Sequence, residues 1–291
     1  ENYLIATGNS DGTVRLLKIN KSELNKMRKN RFVANKTKYD VVCNEIIARG
    51  QSDEILTNYV KFIEKGKYLL TTCNDCNIRI YSLEEKLIQI ANYKSDYPIN
   101  HCSMNYNMEA DKDFKSTLTS GNNILASIGD SNFIELFDLH NKTLITRYKG
   151  HYDIGTVIRF VGNEYDFATG NQDKTCKIWD LRKVKNLNTA NDNQMQEAKK
   201  TLVGNLDSIG DISILNNDMF AFFENKDYFH IYNMRQNTIQ TIDYIGHFAG
   251  IVYQKCYDKL HVAIKENNTS GILTYSPIKS YTNSLDNLLY L

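Results

Sequence analysis

The chain has 291 residues and a formal net charge of +1, and hydrophobic residues make up 42% of it. The near-neutral charge argues against general attraction to nucleic acid or to anionic membranes. No stretch approaches the roughly 18 consecutive apolar residues that a membrane span needs, and the first residues show no secretory signal. We therefore expect a cytoplasmic and/or nuclear protein whose six cysteines are reduced.

The chain repeats one short unit, in which a strand, a tight polar turn with an aspartate and a second strand follow one another. The first copy begins at Ala6, and residues 6–13 match residues 168–175 at six of eight positions. Drifted copies surround Asp75, Asp130 and Asp227, and a sixth copy without the aspartate covers 260–275. An aspartate in such a turn accepts hydrogen bonds from nearby backbone amides, which favours the hairpin.

Most of these hairpins follow another alternating strand and precede a weaker one, so the unit has about four short strands. Six units are legible, and their regular recurrence predicts an all-β closed array that forms a single domain over residues 1–291. Where the spacing is longer, we predict solvated, mobile insertions, at 20–39, 108–121 and 184–197. The first unit lacks its inner strand, and residues 285–291 could supply it.

Residues 150–182 resemble one complete WD40 repeat, because Gly150-His151 leads to a strand, a polar turn and Trp179-Asp180. The resemblance implies a WD40-type β-propeller with six or seven blades of four antiparallel strands. In that family a His, a Ser or Thr, an Asp and a Trp form a buried hydrogen-bonded tetrad. The matching residues are His151, Thr169, Asp173 and Trp179. A tetrad explains these residues without catalysis, so we do not expect an enzyme.

No cofactor or metal is expected. The phosphate-binding and dinucleotide-binding glycine motifs are absent from the sequence. Cys73 and Cys76 form a Cys-x-x-Cys pair, but no second pair completes a zinc site. Propellers that bind phosphoinositides carry an Arg-Arg pair, and this sequence has none.

A short motif suggests docking to other proteins. Residues 179–182 resemble the Trp-Asp-x-Arg box of propellers that dock onto a cullin-type ubiquitin-ligase adaptor, and 232–235 are a weaker echo. The candidate docking residues are Asp180, Arg182 and Arg235. The degenerate, Asn-rich repeats also resemble fungal propellers that serve a GID-type ubiquitin ligase as receptors for N-terminal degrons.

In propellers the loops before the inner strands surround the mouth of the central channel. Aspartates interleaved with aromatic residues there could capture a basic group or an N-terminal amine of a peptide; the alternative is that they only solvate the loop ends. The side chains expected at the mouth are Tyr59, His101, Tyr152, Asp153, Asp207, Ser208, Asp211 and Phe248.

The sequence therefore predicts a non-catalytic protein-interaction module, which acts as a scaffold or a substrate receptor and binds a peptide or protein at the channel mouth. Its partners could include ubiquitin-ligase subunits. The alternatives are a phosphoinositide-binding propeller in membrane traffic and an enzyme with its active site at the channel mouth.

Overall fold

The structure is a computed structural model that describes residues 2–20, 44–48, 56–84, 88–105, 123–183, 197–265, 270–277 and 289–290. Apart from Asn20 and Glu197, the three predicted insertions lie outside these residues. The chain divides into an N-terminal unit, residues 1–99 with 110–116, and a C-terminal unit, residues 100–109 with 117–291.

The N-terminal unit contains two antiparallel sheets and a short 3-10 turn at Glu64–Gly66. One sheet has three strands, β1 (Asn2–Gly8), β2 (Val14–Asn20) and β3 (Asn44–Ala48). The other has four, β4 (Thr57–Ile63), β5 (Tyr68–Cys73), β6 (Asn77–Ser82) and β7 (Ile88–Lys94). Asp11 builds the first turn, because its Oδ1 accepts hydrogen bonds from the backbone N–H and the hydroxyl of Thr13, at 3.0 and 2.6 Å.

The C-terminal unit begins with two four-stranded antiparallel sheets. The first contains β8 (Ile99–Met104, which starts at the unit boundary), β9 (Ile124–Gly129), β10 (Phe133–Asp138) and β11 (Leu144–Lys149). The second contains β12 (Gly155–Phe160), β13 (Asp166–Asn171), β14 (Cys176–Asp180) and β15 (Lys200–Leu202), with a 3-10 turn at Leu181–Lys183.

A seven-stranded sheet completes the C-terminal unit. It contains β16 (Ile209–Ile214), β17 (Met219–Glu224), β18 (Lys226–Asn233), β19 (Thr238–Gln254), β20 (Lys259–Lys265), β21 (Ser270–Tyr275) and β22 (Leu289–Tyr290), with a 3-10 turn at Lys255–Tyr257. The first part of β19 pairs with β18, and residues 247–254 pair with β20. This sheet therefore comprises two successive units that share one long strand, and the described residues contain six units, as the sequence predicts.

Of residues 285–291, which could supply the missing inner strand, the structure describes only Leu289 and Tyr290. Leu289 and Tyr290 pair with Thr274 and Leu273 of β21. These two residues therefore form the last strand of the seven-stranded sheet, beyond β21. Residues 288–291 are all apolar, and a short apolar run suits an inner or an outer strand, so the sequence pattern could not decide between them.

Buried apolar side chains join neighbouring sheets of the C-terminal unit. Ile134 of β10 packs in one cluster with Ile158 and Trp179 of the next sheet. On the other face of that sheet, Ile178 shares a cluster with Phe220 and Phe222 of β17. Because side chains alternate between the two faces of a strand, adjacent residues such as Ile178 and Trp179 serve different clusters.

Candidate functional site

The four predicted tetrad residues form one hydrogen-bonded network inside the second sheet of the C-terminal unit. His151 Nδ1 lies 2.9 Å from Asp173 Oδ2, and its Nε2 lies 2.7 Å from the Thr169 hydroxyl. Trp179 donates its indole N–H to the same hydroxyl at 2.8 Å. A carboxylate only accepts hydrogen bonds, so His151 carries its proton on Nδ1 and Thr169 donates to Nε2.

The ionisation states fit this assignment. Burial lowers the pKa of His151, and Asp173 only partly opposes the shift, so the imidazole is neutral. Burial raises the pKa of Asp173, but hydrogen bonds from His151, Thr175 and the Tyr152 backbone outweigh it and hold that pKa well below its ordinary value. Because His151 is fully buried, it cannot reach a substrate in solvent, and the network suits a structural role.

The network also anchors a surface, which we call the loop strip and define as residues 151–154, 172–175, 203–208, 225–227 and 245–248. Asp173 Oδ2 accepts the backbone N–H of Tyr152 at 3.1 Å, which ties the first loop to the turn at 172–175. The same turn holds the next loop, because Lys174 Nζ donates to the Leu206 carbonyl at 3.0 Å and Asn205 donates to the Lys174 carbonyl at 2.7 Å.

The remaining segments of the loop strip are tied in the same way. The Asn225 side-chain amide donates to the Ser208 hydroxyl at 2.8 Å, and the Asn225 backbone carbonyl accepts the Phe248 N–H at 3.1 Å. The Gly246 N–H binds Asp227 Oδ1 at 3.0 Å. Five segments distant in sequence thus form one hydrogen-bonded surface on the C-terminal unit.

A second buried polar group supports the loop strip from below. Glu224 Oε2 accepts the backbone N–H groups of Leu206 and Asp207 at 2.7 and 2.8 Å. Its other oxygen lies 2.9 Å from His230 Nε2, and His230 Nδ1 lies 3.0 Å from the Thr241 hydroxyl. Burial lowers the pKa of His230 more than Glu224 raises it. The Glu224 carboxylate therefore acts as a fixed acceptor for two loop amides.

Large apolar side chains project from this surface into solvent. The exposed fraction is 76% for Tyr152, 67% for Leu206 and 90% for Ile245. The Tyr152 ring also lies 5.6 Å from Lys177 Nζ, within the range of a cation–π contact. These side chains belong to three different segments of the loop strip, so it presents apolar groups along its length.

The structure separates the predicted mouth residues into two sets. Tyr152, Asp153, Asp207 and Ser208 lie on the loop strip. Asp153 and Asp207 each accept the backbone N–H of the following residue, at 2.8 and 2.7 Å. These two aspartates therefore shape their loops as well as carrying charge.

The other four predicted mouth residues lie within strands, and of these only Phe248 belongs to a segment of the loop strip, where its side chain is buried. Phe248 is buried among Phe223 and Phe229, at ring-centroid distances of 5.8 and 6.1 Å. His101 of β8 is buried, and its Nδ1 accepts the Ile158 N–H at 3.4 Å. These two aromatic side chains are therefore placed for packing and not for contact with a ligand, because both are buried.

Asp211 and Tyr59 are partly buried in their strands. Asp211 of β16 forms an ion pair with Arg159 at 3.3 Å, and burial raises the pKa of its carboxyl despite that partner. Tyr59 belongs to β4 of the N-terminal unit.

Three features of the candidate site, two exposed side chains and one buried carboxylate below them, were not identified from the sequence. Leu206 is a large apolar residue in a run of polar loop residues, and that contrast could have marked it. Ile245 gave no signal, because it continues the alternation of β19. Glu224 stands where the fifth hairpin turns, and only the fold shows that it holds the loop before β16.

The predicted docking residues lie at the other ends of the same strands. Asp180 pairs with Asp166 in the sheet register, five residues from the Asn171 end of β13. Arg182 binds both carboxylate oxygens of Asp180, at 2.9 and 2.8 Å, and its guanidinium lies 4.9 Å from the Tyr165 ring centre. Arg235 is exposed in the turn after β18 and makes no ion pair with the described residues.

Metal sites and membrane spans are two other features that the described part of the chain can be examined for by its side chains and helices. Among those residues, no three His, Cys, Asp or Glu side chains cluster in a way that could hold a metal ion. Within the same ranges, no helix has the length and hydrophobicity to cross a membrane.

Comparisons with known proteins identify the fold. The family model described as "WD domain, G-beta repeat" matches residues 142–180, which include the tetrad. WD repeat-containing protein 89 homolog from Dictyostelium discoideum is 30% identical over 98 residues, or 34% of this chain and 27% of that protein. The chain thus spans only about a quarter of that relative.

A solved structure gives the wider match. A chain in the crystal structure of the mitotic checkpoint complex has a TM-score of 0.66 and 14% sequence identity, and the match covers 94% of this chain and 70% of that one. Together with the antiparallel sheets and the matched repeat, this similarity shows a WD40-type β-propeller fold.

Proposed function

We propose that this chain is a non-catalytic protein-interaction module that binds a peptide or a protein segment across the loop strip. One observation carries the proposal: Tyr152, Leu206 and Ile245 are exposed on segments that hydrogen bonds hold in place. Exposed apolar groups that lie along one surface are typical of interaction sites. Transfer of each such side chain out of water contributes about 1.5–3 kcal/mol.

The hydrogen bonds below the surface favour binding for a second reason. A loop that is already ordered loses little conformational freedom when a partner docks, so more of the interaction free energy appears as affinity. The Asp173 and Glu224 carboxylates supply this order for the loops at 151–154 and 203–208. Use of a similar fold within the mitotic checkpoint complex supports a role in a multiprotein assembly.

The charge of the surface suggests what the partner carries. Asp153 and Asp207 directly follow the exposed Tyr152 and Leu206 in the chain. Of the two lysines of the loop strip, Lys174 donates to the Leu206 carbonyl, and Lys226 is followed by Asp227, which has the opposite charge. A partner segment with a basic side chain or a free N-terminal amine would complement these carboxylates. The substitutions Asp153→Asn and Asp207→Asn test this point, because they remove the charge and keep the oxygen that accepts the loop amide.

The test of the main proposal is affinity purification of the intact protein with quantitative mass spectrometry. We expect the triple variant Tyr152→Ser, Leu206→Ser, Ile245→Ser to lose its specific partners. The matched control is Leu144→Ser, Ile145→Ser, Ile239→Ser, which removes exposed apolar residues from strands outside the loop strip. Equal recovery of every partner by both variants would refute binding at the loop strip.

A role as a substrate receptor of a ubiquitin ligase, including the GID-type receptor role, is a narrower proposal. It requires that ligase subunits co-purify with the intact protein and that Arg182→Ala with Arg235→Ala releases them. Arg182 already gives two donors to Asp180, so a partner carboxylate would have to compete for them. Arg235 makes no such pair and offers the better contact. Retention of the ligase subunits by this variant would exclude docking through these arginines.

We also propose that the protein acts in the cytoplasm and/or the nucleus. None of the five described cysteines forms a disulfide with another described residue, and Cys73, Cys102 and Cys176 are buried. Free thiols are the usual state in these reducing compartments. Imaging of the full-length protein with a fluorescent tag at either end tests the proposal, and accumulation in the secretory pathway would contradict it.

A further inference from the structure

A groove of about 580 Å³ lies in the C-terminal unit, at the opposite strand ends from the loop strip. It is bounded by the β12–β13 loop, β15, the β16–β17 turn and the turn after β18. Ile178 and Tyr232 are buried and line the groove together with the partly buried Met234, so they form an apolar floor. Because β13 runs from the groove to the turn at 172–175, the two surfaces are about 17–20 Å apart.

Basic side chains dominate the rim of this groove. Lys199, Lys200 and Arg235 line it, against the carboxylates of Asp166 and Asp218. Lys199 and Asp166 neutralise each other at 2.8 Å. Lys200 and Arg235 are exposed and form no ion pair with other described residues. The groove thus has two cations, Lys200 and Arg235, and one carboxylate, Asp218, that form no ion pair with a described residue.

One buried acceptor adds to this pattern. Asp166 Oδ2 accepts hydrogen bonds from Lys199 and Asn163, at 2.8 and 3.2 Å. Its Oδ1 is buried without a hydrogen-bond partner among the described residues. A buried carboxylate oxygen without a donor is unfavourable, and a peptide N–H supplies a donor of the right kind.

We propose that this groove binds an acidic peptide segment of a partner protein. The carboxylates of the segment pair with Lys200 and Arg235, one apolar side chain packs on Ile178, Tyr232 and Met234, and a backbone N–H approaches Asp166. Charge complementarity selects an acidic segment, because the two unpaired cations outnumber the one unpaired carboxylate. The apolar floor distinguishes a peptide from a polyanion, which has no side chain to place there.

The site is separate from the loop strip and does not depend on the function proposed for it. The groove is lined by Ile178 of β14, Lys200 of β15 and Tyr232 of β18, and by residues of the turn at 234–237. A protein with both surfaces could hold two partners at once. Loss of one binding activity would therefore leave the other measurable.

Fluorescence anisotropy of the full chain with short labelled peptides tests the proposal. The probe has the core Glu-Asp-Leu-Glu-Glu, and the comparison peptides carry Gln-Asn-Leu-Gln-Gln or Glu-Asp-Ser-Glu-Glu. We expect the acidic Leu peptide to bind about tenfold more tightly than the amide peptide, with an affinity that falls as salt rises. Replacement of Leu by Ser weakens binding by a smaller factor.

Variants locate the binding. We expect the double variant Lys200→Glu with Arg235→Glu to bind the acidic peptide at least about tenfold more weakly. The control Lys94→Glu with Lys265→Glu makes the same charge change at exposed strand positions outside the groove and is expected to bind normally. Circular dichroism establishes that both variants are folded. The more conservative double variant Lys200→Gln with Arg235→Gln gives a second comparison, for which we expect a smaller loss of affinity for the acidic peptide.

Three results would overturn the proposal. Equal affinity for the acidic and amide peptides removes the electrostatic basis. Equal weakening by the groove variant and by the control shows that binding follows net charge alone. The third result combines tighter binding of heparin than of the Leu peptide with equal affinity for the Leu and Ser peptides. It would identify a polyanion surface instead of a peptide site.

Discussion

Thr169→Val removes one hydroxyl at the centre of the buried tetrad and keeps the size of the side chain nearly unchanged. The Thr169 hydroxyl accepts the Trp179 indole N–H at 2.8 Å and donates to His151 Nε2 at 2.7 Å. Valine leaves both nitrogens without this partner, in a region from which water is excluded. Each buried polar group left without its hydrogen bond costs about 1–3 kcal/mol, so the loss of both bonds should lower the free energy of unfolding by about 2–6 kcal/mol.

The protein carries its own probe for this measurement. Trp179 is the sole tryptophan of the chain, so its fluorescence in urea reports the unfolding of the sheet that contains the tetrad. A local probe is an advantage in repeat proteins, whose units need not unfold together. Thr169→Ser keeps the hydroxyl and loses one methyl group, and we expect a smaller loss of about 1 kcal/mol.

The control is Thr201→Val on β15 of the same sheet, where the threonine is exposed. This substitution should change the free energy of unfolding by no more than about 0.5 kcal/mol. A loss below about 0.5 kcal/mol for Thr169→Val, or equal losses for Val and Ser, would refute the view that the hydroxyl joins Trp179 and His151. In that case packing of the indole alone would explain the stability of the sheet.

Three further predictions concern pH, the loop strip and the packing of sheets. Burial lowers the pKa of His151 and His230 below the ordinary 6.5. The unfolded chain therefore binds more protons than the folded one, and the free energy of unfolding should fall as pH drops below about 6.5. An unfolding midpoint, followed by Trp179 fluorescence, that does not change with pH would contradict this. Glu224→Ala should raise amide hydrogen exchange at Leu206 and Asp207 by at least about tenfold, whereas exposed Glu164→Ala should not. A Cβ on Gly155 would collide with Ile128, so Gly155→Ala should lower the free energy of unfolding by about 1–3 kcal/mol. Adding Ile128→Ala should recover part of that loss. Gly250 has open space around it, so Gly250→Ala should be tolerated.

The repeat was predictable because its signals are local. Residues 6–13 and 168–175 contain the turn aspartate and its bonding partners within a few positions, as the Asp11–Thr13 and Asp173–Thr175 hydrogen bonds show. The register of each hairpin follows from such a turn and from strict alternation along the strands. These constraints need no knowledge of the rest of the chain, so six strand pairs could be read directly.

The candidate sites were harder to predict, because their contacts join distant residues. Lys174 and Leu206 are 32 positions apart, and Thr156 reaches Ile209 across 53. Phe248 was expected at the surface, since it follows Gly246-His247 in a loop-like context, yet β19 runs through this position and turns the ring into the core. Whether a side chain in a repeat faces solvent or the next sheet depends on how sheets stack, and a single strand pattern does not contain that information.

The buried tetrad and the exposed loop strip are two parts of one arrangement. Asp173 Oδ2 receives both the His151 Nδ1–H and the backbone N–H of Tyr152, at 2.9 and 3.1 Å. The orientation of that carboxylate depends on the imidazole, and the imidazole depends on the Thr169 hydroxyl. A change deep in the sheet should therefore release the loop that presents Tyr152, even where the sheet stays folded. Under the proposed binding at the loop strip, the tetrad residues are positioning residues for the surface above them, and we expect their hydrogen bonds to contribute to affinity as well as to stability.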